Sequence, residues 1–322
     1  MNEFSFINSI YRKLGPDSKK FSGDDAAFIK CRSNDLLVSK DLLVENIHFN
    51  LSYSAPEDIG YKAVSVNLSD ITACGGNPRY LLIGFAFPQK KMHFMKKICT
   101  GAAECAHRYK CLLIGGDTTA SRSDIFISIT AIGQTDNFIK RSGSNKGDLI
   151  YITDYTGFSA AGLIFLQEKI RPADFPGMEQ VIKTCIHNHR RPEPEIKKMR
   201  KLIAGYRISS MIDISDGLSS ELYHLYESNK KKYGLQINES ALFCPAITSA
   251  GKIIDKIKKK RNSALELALH GGEDYRLLFT SPDLIPRHLA LKIGTVVSEK
   301  KIFSIGSSGR KKIECLGYNH FF

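Results

Sequence analysis

Several stretches of this sequence run apolar and then meet an aspartate beside or just before glycine. This recurrence constrains the fold more than any other feature. Val64 to Pro78 is the longest, with Asp70 near its end and Gly75-Gly76 closing it. Gly23-Asp24-Asp25-Ala26-Ala27 lies upstream. Ile114-Gly115-Gly116-Asp117-Thr118-Thr119 and Ile212-Asp213-Ile214-Ser215-Asp216-Gly217-Leu218 lie downstream. Aspartate and glycine are also the commonest turn residues, so each stretch taken singly reads as a turn or cap. Taken together, Asp25, Asp41, Asp70, Asp117 and Asp213 point to one site assembled from distant elements. Gathered carboxylates repel one another and are stable together only with cations among them. Mg²⁺ takes carboxylate and water oxygens and shares substrate phosphates. Glycine beside them lets backbone approach a phosphate closely.

The chain has 322 residues, enough for two domains with substantial cores, and is 43% hydrophobic. No apolar run reaches the length of a membrane span, and residues 1–6 carry no signal-peptide pattern. The eight cysteines include no Cys-x-x-Cys pair and read as reduced cytoplasmic thiols. The net charge of +13 raises nucleic acid as a partner, but the basic runs at 230–232, 256–261 and 310–312 read as solvated faces. No aromatic residues interleave with the 256–261 run as a stacking platform requires, so neither nucleic acid nor membrane is expected as a partner.

Helical spacing of Phe4, Ile7, Ile10, Tyr11 and Leu14 predicts a helix over 1–15, closed by Gly15-Pro16. A hairpin over 26–31 and 36–39, the second strand running into Lys40-Asp41, follows. Ser54 and Pro56 read as the start of a helix running through Leu68. Strands are expected over 81–88, 111–114 and 125–133, with a helix over 89–109. The polar, Gly-rich segment 141–148 is the best domain boundary. Beyond it, strands at 149–153, 211–214, 235–237 and 277–280 alternate with helices at 159–169, 177–188, 195–204 and 217–228, the last begun by Asp216. The expected fold class is α+β with two domains: an N-terminal mixed α/β domain over 1–138 and a C-terminal α/β domain over 139–322.

No Walker-type or kinase-type glycine loop occurs, so any nucleotide binds in another manner. Arg141 offers a fork of donors to phosphate, against a plain linker arginine. Ser215, opening a helix, offers backbone N–H groups to an anion, against a simple cap. His48 alone reads as a structural histidine, and Glu273 with Asp274 as turn caps. Tyr318 to Phe322 form an aromatic tail that either docks on the core or stacks on a ligand.

With Asn67-Leu68-Ser69-Asp70 and Gly271-Gly272-Glu273-Asp274-Tyr275 added, these motifs occur in the order seen in the thiamine-monophosphate kinase family. That family lies within the superfamily of aminoimidazole ribonucleotide synthetase and selenophosphate synthetase. The resemblance runs from about Phe4 to Phe321; His48-Phe49, Asp-x-Ser-Asp-Gly-Leu and the closing Gly317-Tyr318-Asn319-His320-Phe321 narrow it to the kinase. It implies a homodimer, dimerising through the N-terminal domain, with ATP held between the domains. It implies that Asp25, Ser39, Asp41, Asp70, Asp117, Asp213 and Asp216 hold Mg²⁺. Tyr109, Gly116, Asp117, Arg141 and Ser215 would contact ATP, and His48, Glu273 and Tyr318 thiamine monophosphate. Asp70, Asp117 and Arg141 would carry catalysis. The implied reaction is transfer of the ATP γ-phosphoryl to thiamine monophosphate, giving thiamine diphosphate in the last step of its biosynthesis. The alternative is another ATP-dependent synthetase of the superfamily. Three positions depart from the family pattern: Lys40, Phe158 and Arg276.

Overall fold

The computed structural model describes residues 23–259 and 261–320. The helix expected over 1–15 lies outside them. Within the described residues the strands form two sheets, and helices pack between and around them. The α+β reading holds.

The first sheet has five strands in the order β1-β2-β5-β3-β4. These are β1 (Ala27–Ile29), β2 (Asp35–Val44), β3 (Asn77–Phe87), β4 (Leu112–Ala120) and β5 (Phe126–Thr135). The β1–β2 hairpin is antiparallel, as expected, but β2 runs on through Asp41 to Val44. Helices α1 (Pro56–Ala73) and α2 (Met92–Arg108) cover one face. Along β5, Ile127, Ile129 and Ala131 join the core while Ser128, Thr130 and Ile132 are only half-buried. This period-two pattern marks a sheet packed on one side.

Helix α1 corrects two expectations. Pro56 opens it, but the N-cap residue is Ala55 rather than Ser54, and no side chain caps the helix from that position. The helix also continues past Leu68 to Ala73, so Asp70 lies inside its last turn rather than in a turn of its own. Fourteen of its eighteen residues are buried, because both domains pack on it.

The second sheet has seven strands in the order β12-β11-β8-β10-β6-β9-β7. They are β6 (Leu149–Ile152), β7 (Ser210–Asp213), β8 (Gly234–Asn238), β9 (Leu277–Ser281), β10 (Leu291–Val297), β11 (Ile302–Gly306) and β12 (Gly309–Lys312). Around it lie α3 (Phe158–Gln167), α4 (Glu179–Arg190), α5 (Ile196–Gly205), α6 (Leu218–Ser228), α7 (Pro245–Lys258) and α8 (Ser263–His270). Alternate strand residues enter two different cores: Ile150, Ile152, Ile212 and Leu278 face one, Tyr151, Met211 and Phe279 the other. Both faces are therefore buried.

The halves are tied together. Arg191 reaches Asp58 at 2.5 Å and Glu104 at 2.6 Å, and Arg190 donates to the Tyr53 carbonyl at 2.5 Å. Ser65, buried on α1, donates to the Pro192 carbonyl.

Candidate functional site

Three carboxylates from distant parts of the chain meet. Asp25 precedes β1, Asp70 sits in the last turn of α1 and Asp213 ends β7; one oxygen from each lies within 4.8 Å of the others. Arg141, in the segment between the sheets, donates its guanidinium to Asp25 and its backbone N–H to Asp24 at 2.8 Å. Ser69 donates to Asp213 at 2.6 Å. The Asp25 side chain is 2% exposed, and its second oxygen is buried with no hydrogen-bond partner among the described residues.

Burial, then repulsion from Asp41, Asp213 and Asp25, pushes the Asp70 carboxyl well above its usual range. Burial and Asp25 do the same to Asp213. Asp41 rises to about 6 through burial and the charges of Asp25 and Asp216. Such a group is unfavourable by itself and favourable around a hard cation, so the donor set fits Mg²⁺. Ser39 is buried beside it, donating to the Asn67 carbonyl at 3.3 Å, and the Asn67 side-chain oxygen accepts from the Asp41 N–H at 3.0 Å.

The motif 213–218 shows why its glycine is needed. Gly217 is the N-cap of α6 at φ 116°, a conformation side chains resist, and a Cβ there would meet the His270 carbonyl oxygen at 2.8 Å. Asp216 therefore does not cap the helix, contrary to the expectation. Instead Asp216 and Ser215 line a cleft of about 730 Å³ that opens beside Asp70. Glu221, buried in the first turn of α6, accepts from the Asp216 N–H at 3.1 Å and from the Ser215 hydroxyl at 3.4 Å.

His48, Glu273 and Tyr318 line the same cleft. Glu273 receives Lys62 at 2.6 Å on one oxygen and His189 at 3.3 Å on the other. Burial opposes its charge, but Lys62 and His189 win and hold its carboxyl at about 2. Its backbone is left-handed at φ 64°, a strain that functional sites retain when neighbours enforce it. His48 Nδ1 accepts from the Val44 N–H at 3.0 Å, which leaves the proton on Nε2. The His48 ring lies 5.0 Å from His320, and His320 lies 4.8 Å from Tyr318. The capping reading of the 271–275 turn applies to Asp274, which receives the N–H groups of Gly157 and Ser159 at the start of α3.

Gly116, Asp117 and Tyr109 stand elsewhere. Gly115-Gly116-Asp117 is not a turn after a short strand but the middle of β4. A Cβ on Gly116 would meet the Ile83 carbonyl oxygen at 1.9 Å, so close strand pairing already requires glycine there. Asp117 shares a row with Gly84, Ser128 and Leu42, on the sheet face turned away from α1. Three strand spacings, about 14 Å, separate it from β2. Tyr109 is the C-cap of α2, with the Arg108 guanidinium 5.7 Å from its ring.

The family departures have local explanations. Lys40 donates to Ser128 at 2.6 Å, and Arg276 reaches Glu195 at 2.9 Å and Asn188 at 3.0 Å. Phe158, the first residue of α3, is partly buried against the core that α3 forms with α4 and α7. Sequence reasoning missed Lys62, His189, Ser69 and Glu221. For Lys62 a signal existed: a lone lysine within the apolar helix, eight residues before Asp70.

Residues 23–135 match the family model described as AIR synthase related protein, N-terminal domain. The thiamine-monophosphate kinase of Bacillus subtilis (strain 168) is 34% identical over 341 residues, covering 100% of both chains. That of Aquifex aeolicus (strain VF5) is 34% identical over 325 residues, covering 100% of this chain and 98% of the relative. A solved structure described as AaThiL complexed with AMPPCP and TMP superposes with TM-score 0.86 at 33% identity, covering 99% of this chain and 97% of that one.

Proposed function

This chain belongs to the thiamine-monophosphate kinase family, and from that premise we infer how its cleft works. It uses ATP to phosphorylate thiamine monophosphate, forming thiamine diphosphate. In the transfer, a phosphate oxygen of thiamine monophosphate bonds to the γ-phosphorus of ATP. The bond from that phosphorus to the β–γ bridging oxygen breaks, and ADP leaves with the electron pair. The attacking oxygen is already anionic near neutral pH, so no general base is required. What the step needs is alignment and relief of repulsion between two polyanions.

The convergence of Asp25, Asp70 and Asp213 beside the cleft carries this reading. We assign Mg²⁺ to those three, with Ser39, Asp41 and Asp216 completing the set. When bound there, Mg²⁺ supplies charge neutralisation and a template for the phosphates. The unpartnered Asp25 oxygen supports this assignment. Arg141 orients Asp25 and, with Ser215, lies where a nucleotide phosphate would approach. Asp70 and Arg141 act in catalysis, Asp70 through the metal. His48, as an Nε2–H donor, and Tyr318, as a stacking surface, take the rings of thiamine monophosphate with Glu273 behind them.

A homodimer accounts for the remaining residues. β4 is exposed along all nine residues, with Leu112, Leu113 and Ile114 each more than half exposed. Leu42, Tyr80 and Leu82 are exposed on the same sheet. A bare edge and an apolar face call for a partner of like shape. We assign a second copy to it, with Asp117, Gly116 and Tyr109 serving the nucleotide end of the neighbouring site. We take 1–138 and 139–322 as the domains and the cytoplasm, with its ATP and reduced thiols, as the compartment. All eight cysteines are free.

The test is incubation with ATP, Mg²⁺ and thiamine monophosphate, with products separated by chromatography. Equal amounts of ADP and thiamine diphosphate are expected. ATP consumption without thiamine diphosphate would refute the assignment.

A further inference from the structure

The floor of the cleft is one stripe of α1: Lys62, Val66 and Asp70 all line it. Their spacing of four residues puts them on one helix face. Eight residues of helix rise about 12 Å, so a single rigid rod separates the acid cluster at Asp70 from the far wall at Lys62. At that far wall Lys62 is 4% exposed. Its ammonium meets Glu273 Oε1 at 2.6 Å and the His48 carbonyl oxygen at 3.4 Å. Two of the three residues assigned above to the organic substrate are thus bonded to one side chain. That side chain stands on the helix that also carries the metal-binding aspartate.

We propose that Lys62 is a positioning residue that sets the ring-binding end of the cleft at a fixed distance from the phosphoryl-transfer end. The proposal rests on the functional reading given above and deepens it. Both Glu273 oxygens are engaged inside the protein, by Lys62 and His189. Glu273 therefore meets the cationic thiazolium as half of an ion pair rather than as a free carboxylate. Its part is to build the wall, and Lys62 decides where that wall stands. Without the ammonium, Glu273 is a charge with one partner lost, on a left-handed backbone that the pair helps to hold. The His48 turn loses its tie at the same time.

The test compares Lys62→Met, which keeps length without charge, with Lys62→Arg, which restores charge. KM for thiamine monophosphate should rise about tenfold or more in Lys62→Met, with KM for ATP within about twofold of wild type. Lys62→Arg should recover most of the loss. Titration calorimetry of thiamine monophosphate into protein holding AMPPCP and Mg²⁺ should show the same change in Kd. Should Lys62→Met not fold by circular dichroism, Lys62→Gln is read against the same thresholds. Equal changes for both substrates, or a lowered Tm with unchanged thiamine monophosphate affinity, would overturn the proposal and leave Lys62 a domain tie only. Wild-type protein that binds thiamine monophosphate without phosphorylating it would defeat the functional reading instead. The calorimetric comparison would still decide the role of Lys62.

Discussion

The two sheets solve the same packing problem differently. The seven-stranded sheet sends alternate residues into two cores, one covered by its own helices and one that Ala73 of α1 also joins. The five-stranded sheet buries one face under α1 and α2 and leaves Leu42, Tyr80 and Leu82 exposed on the other. One sheet has both faces covered, and the other keeps one face open, which the proposed second copy would cover. Matched substitutions test that contrast. Leu278→Asp, in the doubly covered sheet, should give no folded protein by circular dichroism, since it buries a charge at a cost above about 4 kcal/mol. Leu82→Asp, on the bare face, should give a folded protein that light scattering finds monomeric and that has lost turnover.

The acid cluster sits where the two halves meet. Asp70→Asn and Asp213→Asn should each lower kcat about 100-fold or more, because charge stabilisation is the main catalytic contribution in phosphoryl transfer. Their Tm should hold or rise in metal-free buffer, since each change removes one of several mutually repelling charges. If Asp117 serves the neighbouring subunit, Asp70→Asn and Asp117→Asn protomers should complement. Half the mixed dimers would be heterodimers with one intact site of two, restoring about a quarter of wild-type turnover. No recovery on mixing would put Asp117 to work within its own chain.

The smallest effect concerns Glu273. Its folded carboxyl, at about 2, lies below its ordinary value of 4.5. The stability this gives is present above the ordinary value and is lost as pH falls through the folded one. The shift corresponds to roughly 3 kcal/mol. Denaturant unfolding from pH 5 to pH 2.5 should show wild type losing most of this increment and Glu273→Gln not losing it.

Much of this was legible in the sequence. Asp25, Asp70 and Asp213 stand out because carboxylates beside glycine at the ends of apolar runs are costly unless they serve a cation. The strands around Leu37 and Ile129 follow from alternation. The reading failed where tertiary packing overrode local signals. Asp70 looked like a terminator, yet burial on both sides carries α1 past it to Ala73. Gly115-Gly116 looked like a turn, yet β3 pairs so closely that the strand runs through both. Strands β10, β11 and β12 went unread: β10 is interrupted by Gly294 and a register shift, and β11 and β12 are short. His189 and Glu221 carry no motif, and only the fold reveals that they stand behind motif residues; Lys62 left one trace, a lone lysine in an apolar helix.

The ties between Arg191 and both Asp58 and Glu104, with Ser65 bound to the Pro192 carbonyl, have a consequence for traffic through the cleft. Walls riveted from behind do not swing apart like jaws. Nucleotide and vitamin would come and go through a doorway whose frame stays still, with the exposed Ile47, Leu316 and Tyr318 at its rim.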